Sequence, residues 1–440
     1  MSRFFLGAFG EPGHAFPMLA LGARLAARGH EVTFETWSRW REDVEAAGMR
    51  FEPAPEYPLF SGSRGASAMY EAVVLATAET RNVVAELRPH VVVHDILTLA
   101  PALAGELEGV PVATLVPHLF PVGADGFPPY ALGARLPRTP YGRRLWRGLE
   151  RFTQAGLRQG RDELNAARLK VGLGSVARLH GGLSDRLCLV GTYPQLEYPR
   201  DWPAHVKVVG PIMWEPPYAA VTPPAGEAPL VLVAPSTAQD PRHRLLRAAL
   251  DGLGDEPIRV LATWNRRPLA APVDVPANTR LVEWLSYAKT MPSCAAVICH
   301  AGHGTMVRAL ACGCPVVAAP HSGDMAENAA RVDWAGVGVR LPWRLVTPGT
   351  LRLAVRRALA EASFVARARE LASWAAAHDG ASRAAELVEE FALQSSRRAR
   401  TNSISSRVSP STTSMGSPEQ LHSSTTARSS LTSSARQTAP

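Results

Sequence analysis

Short runs of consecutive apolar residues alternate with longer stretches of helical periodicity over the first hundred positions of the chain. Residues 4–9 are apolar apart from Gly7 and too few for a core helix, so they predict a buried strand. Residues 17–28 place Leu19, Leu21, Leu25 and Ala26 at helical spacing, and residues 31–36 predict the next strand. Further strands are expected over 91–93, 112–116 and 186–190. Strands separated by helical stretches of this length are βαβ units, whose successive strands lie parallel.

The pattern breaks between residues 193 and 229. Nine Pro fall from position 194 to 229 and long apolar runs are scarce, as expected of a linker. Val208-Val209-Gly210-Pro211 reads as a last strand before it. Alternation then resumes, with strands expected over 230–234, 259–263, 296–299 and 315–319. The expected fold class is α/β: two doubly wound lobes, residues 1–205 and 230–380, joined by a Pro-rich linker at 206–229 and facing a cleft. A helix is expected at 381–394. Residues 395–440 are Ser, Thr, Arg and Pro with almost no large apolar side chain, too little to offset the entropy of ordering, so disorder is expected there.

Composition adds exclusions rather than identity. A length of 440 residues suits two domains with terminal extras, and 46% hydrophobic against 20% charged residues excludes a wholly disordered or fibrous chain. The net charge of +8 says little about partners once located: residues 395–440 hold six Arg against Glu419 alone, so the folded part is close to neutral, and no nucleic-acid partner is expected. Cys188, Cys294, Cys299, Cys312 and Cys314 contain no C-x-x-C pair and read as free thiols in a reducing cytoplasm. No apolar run reaches the ~18 residues a spanning helix needs, so a cytoplasmic chain without a membrane span is expected.

Candidate chemistry collects at strand ends, where open parallel sheets place ligands. Gly13-His14-Ala15-Phe16-Pro17 stands beyond the first strand. Gly7, Gly10 and Gly13 lack the G-x-G-x-x-G spacing, and Pro12 with His14 would crowd a pyrophosphate, which disfavours a dinucleotide fingerprint. Asp95 ends another strand of the same lobe. A carboxylate accepting the Nδ1 proton of an imidazole fixes its tautomer and raises its basicity, giving a base for a hydroxyl. Taken singly, His14 is as well explained as a capping or packing residue, and Asp95 as the cap of the helix that follows. In the second lobe, His300-Ala301-Gly302-His303-Gly304-Thr305 joins a strand to a helix. Small residues at such a turn leave backbone N–H groups free for phosphate, with the positive end of the helix behind them, and His300 and Thr305 add side-chain donors. Asp324 follows the next strand, where a carboxylate accepts hydroxyl protons.

In their order and spacing, these segments resemble the family-1 glycosyltransferases of actinobacterial natural-product pathways, two-lobed inverting enzymes of the GT-B fold with Rossmann-like lobes. The resemblance covers roughly residues 1–394. It rests on Gly-His-x-x-Pro at 13–17, the stretch 284–292, the turn 300–305, Gly-Cys-Pro at 313–315, and Asp324 with Glu327-Asn328. It implies that His14 is the general base and Asp95 its orienting partner, and that Trp284 holds the nucleobase. It places Ser236, Thr237, His300, Gly302, Gly304 and Thr305 at the diphosphate, and Asp324 at the sugar hydroxyls. A helix over 382–393 would cross back to the first lobe. The implied partners are a nucleoside-diphosphate sugar and an apolar small-molecule acceptor lying near Phe16, Phe60, Met69, His118 and Phe120, in a monomer or homodimer. No cofactor is expected, and no metal, since the chain has no Asp-x-Asp of the kind metal-using transferases employ.

Two positions depart from the family pattern. Met325 stands where many relatives carry Gln beside the sugar-facing Asp, and Arg308 where users of uridine nucleotides often carry a ribose-binding Glu. Both favour a thymidine diphosphate deoxysugar over uridine diphosphate glucose. The competing readings are a sugar-nucleotide epimerase and an inactive GT-B helper of a partner transferase, the latter disfavoured by the intact His14 and Asp95.

Overall fold

The computed structural model describes residues 1–54, 66–236, 239–269, 271–321 and 323–407, with side chains at 66–69 and 399–407 left out. Residues Met1–Ser396 form one compact unit, and Arg397–Pro440 a second, helical through Arg407 in its described part.

The first lobe runs β1 (Arg3–Gly7), α1 (Pro12–Ala27), β2 (Glu31–Thr36), α2 (Arg41–Ala46), β3 (Arg50–Pro53), α3 (Ala66–Leu87), β4 (Val91–Asp95), α4 (Leu99–Leu107), β5 (Val112–Val116), α5 (Pro140–Lys170), β6 (Cys188–Val190) and β7 (Val206–Val208). Its parallel sheet has the order β3-β2-β1-β4-β5-β6-β7. The second lobe runs β8 (Leu230–Ala234), α6 (Arg244–Leu253), β9 (Arg259–Thr263), β10 (Thr279–Val282), α7 (Tyr287–Thr290), β11 (Ala296–Cys299), α8 (His303–Ala311), β12 (Val316–Ala318), α9 (Asp324–Ala335), β13 (Gly338–Arg340), α10 (Pro348–Ala360), α11 (Ala362–Ala377) and α12 (Gly380–Arg407). Its sheet order is β10-β9-β8-β11-β12-β13, also parallel.

Helices cover both faces of each sheet, which is why the strands read as continuous apolar runs. Phe4 and Leu6 of β1 join a core with α1, while Phe5 between them packs on the opposite face with Val84, Val92 and Ala104. Strand order reverses direction between β1 and β4 in the first sheet and between β8 and β11 in the second. At such switch points the following helices diverge and a crevice opens beyond the carboxyl ends. His14 follows β1 and Asp95 ends β4; Ser236 follows β8 and His300 follows β11.

Several elements differ from expectation. The first helix starts at Pro12, not residue 17, because Pro at N1 gives up only an N–H that no helix satisfies, and its fixed φ favours the first turn. Pro17 then sits inside the helix and leaves the Gly13 carbonyl unclaimed by it. The last strand of the first lobe is Val206–Val208, inside the span assigned to the linker and ahead of the 208–211 segment. The strands β3, β10 and β13 are three or four residues long and partly polar, too short to stand out from turns.

The return helix does not stop at 394, and the expected disorder does not begin at 395. Ser395 is buried, its Oγ 3.0 Å from Arg186 Nη2, and α12 continues to Arg407. Small and apolar residues 384, 385, 388, 391 and 392 form the stripe that packs on the first lobe, and Ser395 extends it by one more position at helical spacing. A composition filter that counts Ser as a tail residue misses that. Residues 408–440 of the expected tail lie outside the described residues.

Candidate active site

His14 occupies the first turn of α1, its backbone N–H bonded to the Glu11 carbonyl at 2.9 Å. The turn brings its Nδ1 to 2.7 Å from Asp95 Oδ1, with the Asp95 side chain fully buried and that of His14 18% exposed. Nδ1–H therefore donates to the carboxylate and Nε2 carries the lone pair. Burial alone would lower the His14 pKa, but the charge and hydrogen bond of Asp95, with smaller contributions from Asp324 and Glu11, outweigh it and hold it above 6.5. Asp95 is not the cap of the next helix, which begins at Leu99 with Thr98 at its N-cap and no side-chain cap bond; its Oδ2 instead accepts the Leu97 N–H at 3.3 Å in the turn before that helix.

His118 stands beside this pair, its ring edge-on to His14 with centroids 6.2 Å apart. Its Nδ1 is 2.8 Å from the Leu119 carbonyl and 3.2 Å from Tyr130 Oη. Burial, then the neighbouring His14, lower its pKa, so the ring stays neutral. Asp324, at the start of α9, is close enough for its charge to act on His14, His118, Tyr130 and His300.

Across the cleft, Gly302 caps α8 with no side-chain hydrogen bond, so the N–H groups of its first turn keep their capacity for a ligand. His300 projects from the end of β11 with Nδ1 3.4 Å from the Ala234 carbonyl, and burial lowers its pKa. His303 also lines the cleft, but its ring is held by both lobes. It is buried, its ring nitrogens each 3.3 Å from Asn328 Oδ1 and from the Gly191 carbonyl of the first lobe, and burial brings its pKa to about 4. A Cβ on Gly302 would lie 2.4 Å from His300 Nε2. Gly302→Ala is thus expected to push the His300 ring aside and lower turnover ~10²-fold, the order seen when one preorganised donor is lost, with little change in melting temperature. A variant with unchanged turnover would remove His300 from the chemistry.

An interlobe cavity opens between these parts, although His14, Asp95 and Asp324 are not among its lining residues. It is lined by Gly13 and Phe16 from α1, by His300, Gly302, Gly304 and Thr305 from the phosphate turn, and by Trp284. Trp284 lies edge-on to Tyr218 with Arg266 4.9 Å above its ring, and among the described residues its buried Nε1 has no hydrogen-bond partner. Ser236 is buried beside the cavity, its Oγ accepting from the Gln239 N–H at 2.8 Å. Thr237 lies outside the described residues.

Of the expected acceptor residues, Phe16 lines the cavity between Trp40 and Trp214, with centroids 5.0 Å from each, and His118 adjoins His14. Phe120 does not reach the cavity. It is buried in a small core of Val116, Cys188, Val190 and Val206, with Arg200 over its ring, because an aromatic after a strand end is taken up by the nearest core. Phe60 and the side chain of Met69 lie outside the described residues.

The two departures fare differently. Met325 is buried in the second lobe's core and does not line the cavity, so it offers the sugar no apolar wall. Arg308 lines the cavity, donates to the Trp214 carbonyl at 3.0 Å and pairs with Glu215 at 3.9 Å. Sequence reasoning missed Trp214, Glu215 and Tyr218, having treated their segment as a spacer; two aromatics and a carboxylate within a Pro-rich stretch were the available signal.

Residues 247–391 match the model of the family described as Erythromycin biosynthesis protein CIII-like, C-terminal domain. The chain is 30% identical to 4'-demethylrebeccamycin synthase of Lentzea aerocolonigenes over 86% of this chain and 96% of that one. It is also 30% identical to O-mycaminosyltylonolide 6-deoxyallosyltransferase of Streptomyces fradiae, over 89% and 97%. The solved structure of glycosyltransferase VinC in complex with dTDP superposes with a TM-score of 0.63 at 21% identity, covering 90% of this chain and all of that one. With this identity over nearly the full length of both relatives, and with the two lobes of the GT-B fold, the protein belongs to the glycosyltransferases of actinobacterial natural-product pathways and is an enzyme of sugar transfer.

Proposed function

We propose that the chain transfers a deoxysugar from a thymidine diphosphate donor to a hydroxyl of an apolar natural product, with inversion and without a metal. The observation that carries this reading is the His14–Asp95 pair at the first turn of α1, next to a cavity lined by Gly13 and Phe16 of that helix and, across it, by the phosphate turn of α8. His14 Nε2 takes the acceptor proton as the acceptor oxygen attacks the anomeric carbon, and the bond from that carbon to the diphosphate oxygen breaks. A base on the acceptor side and a leaving group on the opposite side require in-line displacement, hence inversion.

Charge on the departing diphosphate meets the first-turn N–H groups, Thr305 and His300. The neutral His300 imidazole, its Nδ1–H turned to Ala234, binds phosphate best after taking up a proton at Nε2, which the incoming negative charge promotes. The N-terminus of α8 and His300 occupy the role a cation would otherwise fill. Trp284 and Tyr218 provide aromatic surface for the base, and the unpaired indole N–H a donor to it. Asp324 accepts sugar hydroxyls. Support for the donor comes from the relatives, one named for a 6-deoxyallosyl group and one structure holding dTDP.

The test is incubation of the purified chain alone with thymidine and uridine diphosphate sugars and polyketide-like acceptors, read by product mass and anomeric configuration, with and without EDTA. The expected product carries one added deoxysugar of inverted configuration, formed equally in EDTA. Absence of product with every donor would favour a helper subunit, and loss of product in EDTA would remove the metal-free mechanism.

A further inference from the structure

The cavity wall is ordered along one direction. At one end stand Thr305 and the N–H groups of the first turn of α8; at the other, the edge-on aromatic pair Trp284 and Tyr218, with centroids 5.5 Å apart. Arg308 follows Thr305 by one turn of the same helix, and Glu215 precedes Tyr218 by three residues on the linker. Both line the cavity, and Glu215, paired with Arg308, is also bonded to Ser286 and Ala288 just after Trp284, which sets the two between its ends. A nucleoside diphosphate has the same order of parts, phosphate then furanose then base, so whatever lies here faces the furanose.

Glu215 is well held and not saturated. Its side chain is 14% exposed and that of Arg308 15%. Ser286 Oγ donates to Oε1, and the Ala288 N–H is shared between Oε1 at 3.1 Å and Oε2 at 3.2 Å. Arg308 Nε stands 3.9 Å from Oε2, too far for a hydrogen bond. An ionised carboxylate has about four acceptor positions, so Oε2 keeps capacity that no side chain of the cavity wall uses.

We propose that Glu215 binds the furanose of the donor nucleoside, Oε2 accepting its 3′-hydroxyl while Arg308 fixes the carboxylate from the other lobe's helix. The assignment rests on the donor cleft described under the proposed function, but not on the choice of nucleotide. The 3′-hydroxyl is the one hydroxyl that thymidine and uridine diphosphates share. It gives the Pro-rich segment a recognition role, bringing a specificity residue into the site from the chain that joins the lobes.

The test is calorimetric titration of the full chain with thymidine diphosphate and with its 3′-deoxy analogue. The parent is expected to prefer the hydroxylated nucleotide by about ten- to a hundredfold, the range for a hydrogen bond to a charged group. In Glu215→Gln that preference should shrink to threefold or less, with the affinity for the 3′-deoxy analogue almost unchanged. A merely structural Glu215 would weaken both ligands equally and leave the preference intact, which overturns the assignment. Should the single variant fail to fold, Glu215→Gln with Arg308→Gln, which removes both charges together, is read in the same way. A parent chain that binds neither of these nor uridine diphosphate would overturn the donor cleft and this assignment with it, and one that binds uridine diphosphate alone is read in the same way with the 3′-deoxy analogue of that nucleotide. A parent that binds both without preference would overturn the assignment alone.

Discussion

Replacing His14 by Ala is expected to lower the rate of transfer by ~10²–10⁴-fold, the contribution of a positioned base, and to leave donor affinity within about twofold. The separation follows from position: His14 meets Asp95 on the acceptor lobe, while the residues placed at the diphosphate lie on the other. Stopped-flow or quenched single-turnover rates beside donor titrations would measure both. The same base sets the pH profile. Only unprotonated His14 can accept a proton, and its pKa is held above 6.5, so kcat/KM should fall as pH drops through a value higher than that of a free imidazole. In Asp95→Asn the raising partner is gone and burial, which lowers the pKa, dominates; the acid limb should move below 6.5 while the plateau also falls, because the tautomer is no longer fixed. An acid limb that stays in place would mean that some other group titrates there. Equal loss of donor affinity in His14→Ala would assign the ring to the donor instead.

The alternation of apolar runs was legible because strands covered on both faces are rich in apolar residues, as β5, β8, β9 and β11 are, and these lie at the residues their hydropathy predicts; β2 lies where expected too, although four of its six residues are polar. The placing of His14, Asp95, His300 and Thr305 at strand ends was legible too, since they sit next to those runs in sequence. Residues brought to the cavity by the linker were not legible. Glu215 gains its surroundings from Ser286, Ala288 and Arg308, more than seventy positions away, and no local pattern announces a partner at that distance. Met325 and Phe120 failed for the opposite reason: each adjoins a motif, yet an apolar side chain beside a motif goes to the nearest core. Burial also reassigned charge. Glu327 belongs to the segment expected near the sugar, but its side chain is turned away into the joint between the lobes.

That joint is where the largest stability effect is expected. Arg331 of α9 lies among buried groups of both lobes: Nη2 is 2.8 Å from Glu327 Oε1 on its own helix, and Nη1 is 2.8 Å from the Leu196 carbonyl and 3.6 Å from Glu197 Oε2 in the segment after β6. The guanidinium also stacks on Tyr198, 3.3 Å from the ring centroid. Glu197 Oε1 accepts the Phe120 N–H at 2.7 Å, so the network ties α9 to two segments of the first lobe. Arg331→Met fills most of the volume but strands two buried carboxylates, an outcome that costs ~3–5 kcal/mol when one partner of a buried pair is removed. The deficit should depend on pH. Burial already raises the Glu197 pKa and Arg331 is the foremost opposing influence, so the variant raises it further. A carboxyl with its folded pKa above its unfolded one is stabilising while protonated, and that stability is lost as pH rises through the folded value. Denaturation of Arg331→Met should therefore show a smaller deficit at pH 5 than at pH 8, and adding Glu197→Gln with Glu327→Gln should recover much of it, since no buried charge is then left alone. Because α9 begins at Asp324, seven residues before Arg331, the same variant should transfer more slowly than the parent at each pH where both are folded. A variant as stable as the parent at pH 8 would show that water reaches these carboxylates and that the lobes are held by their apolar contacts alone.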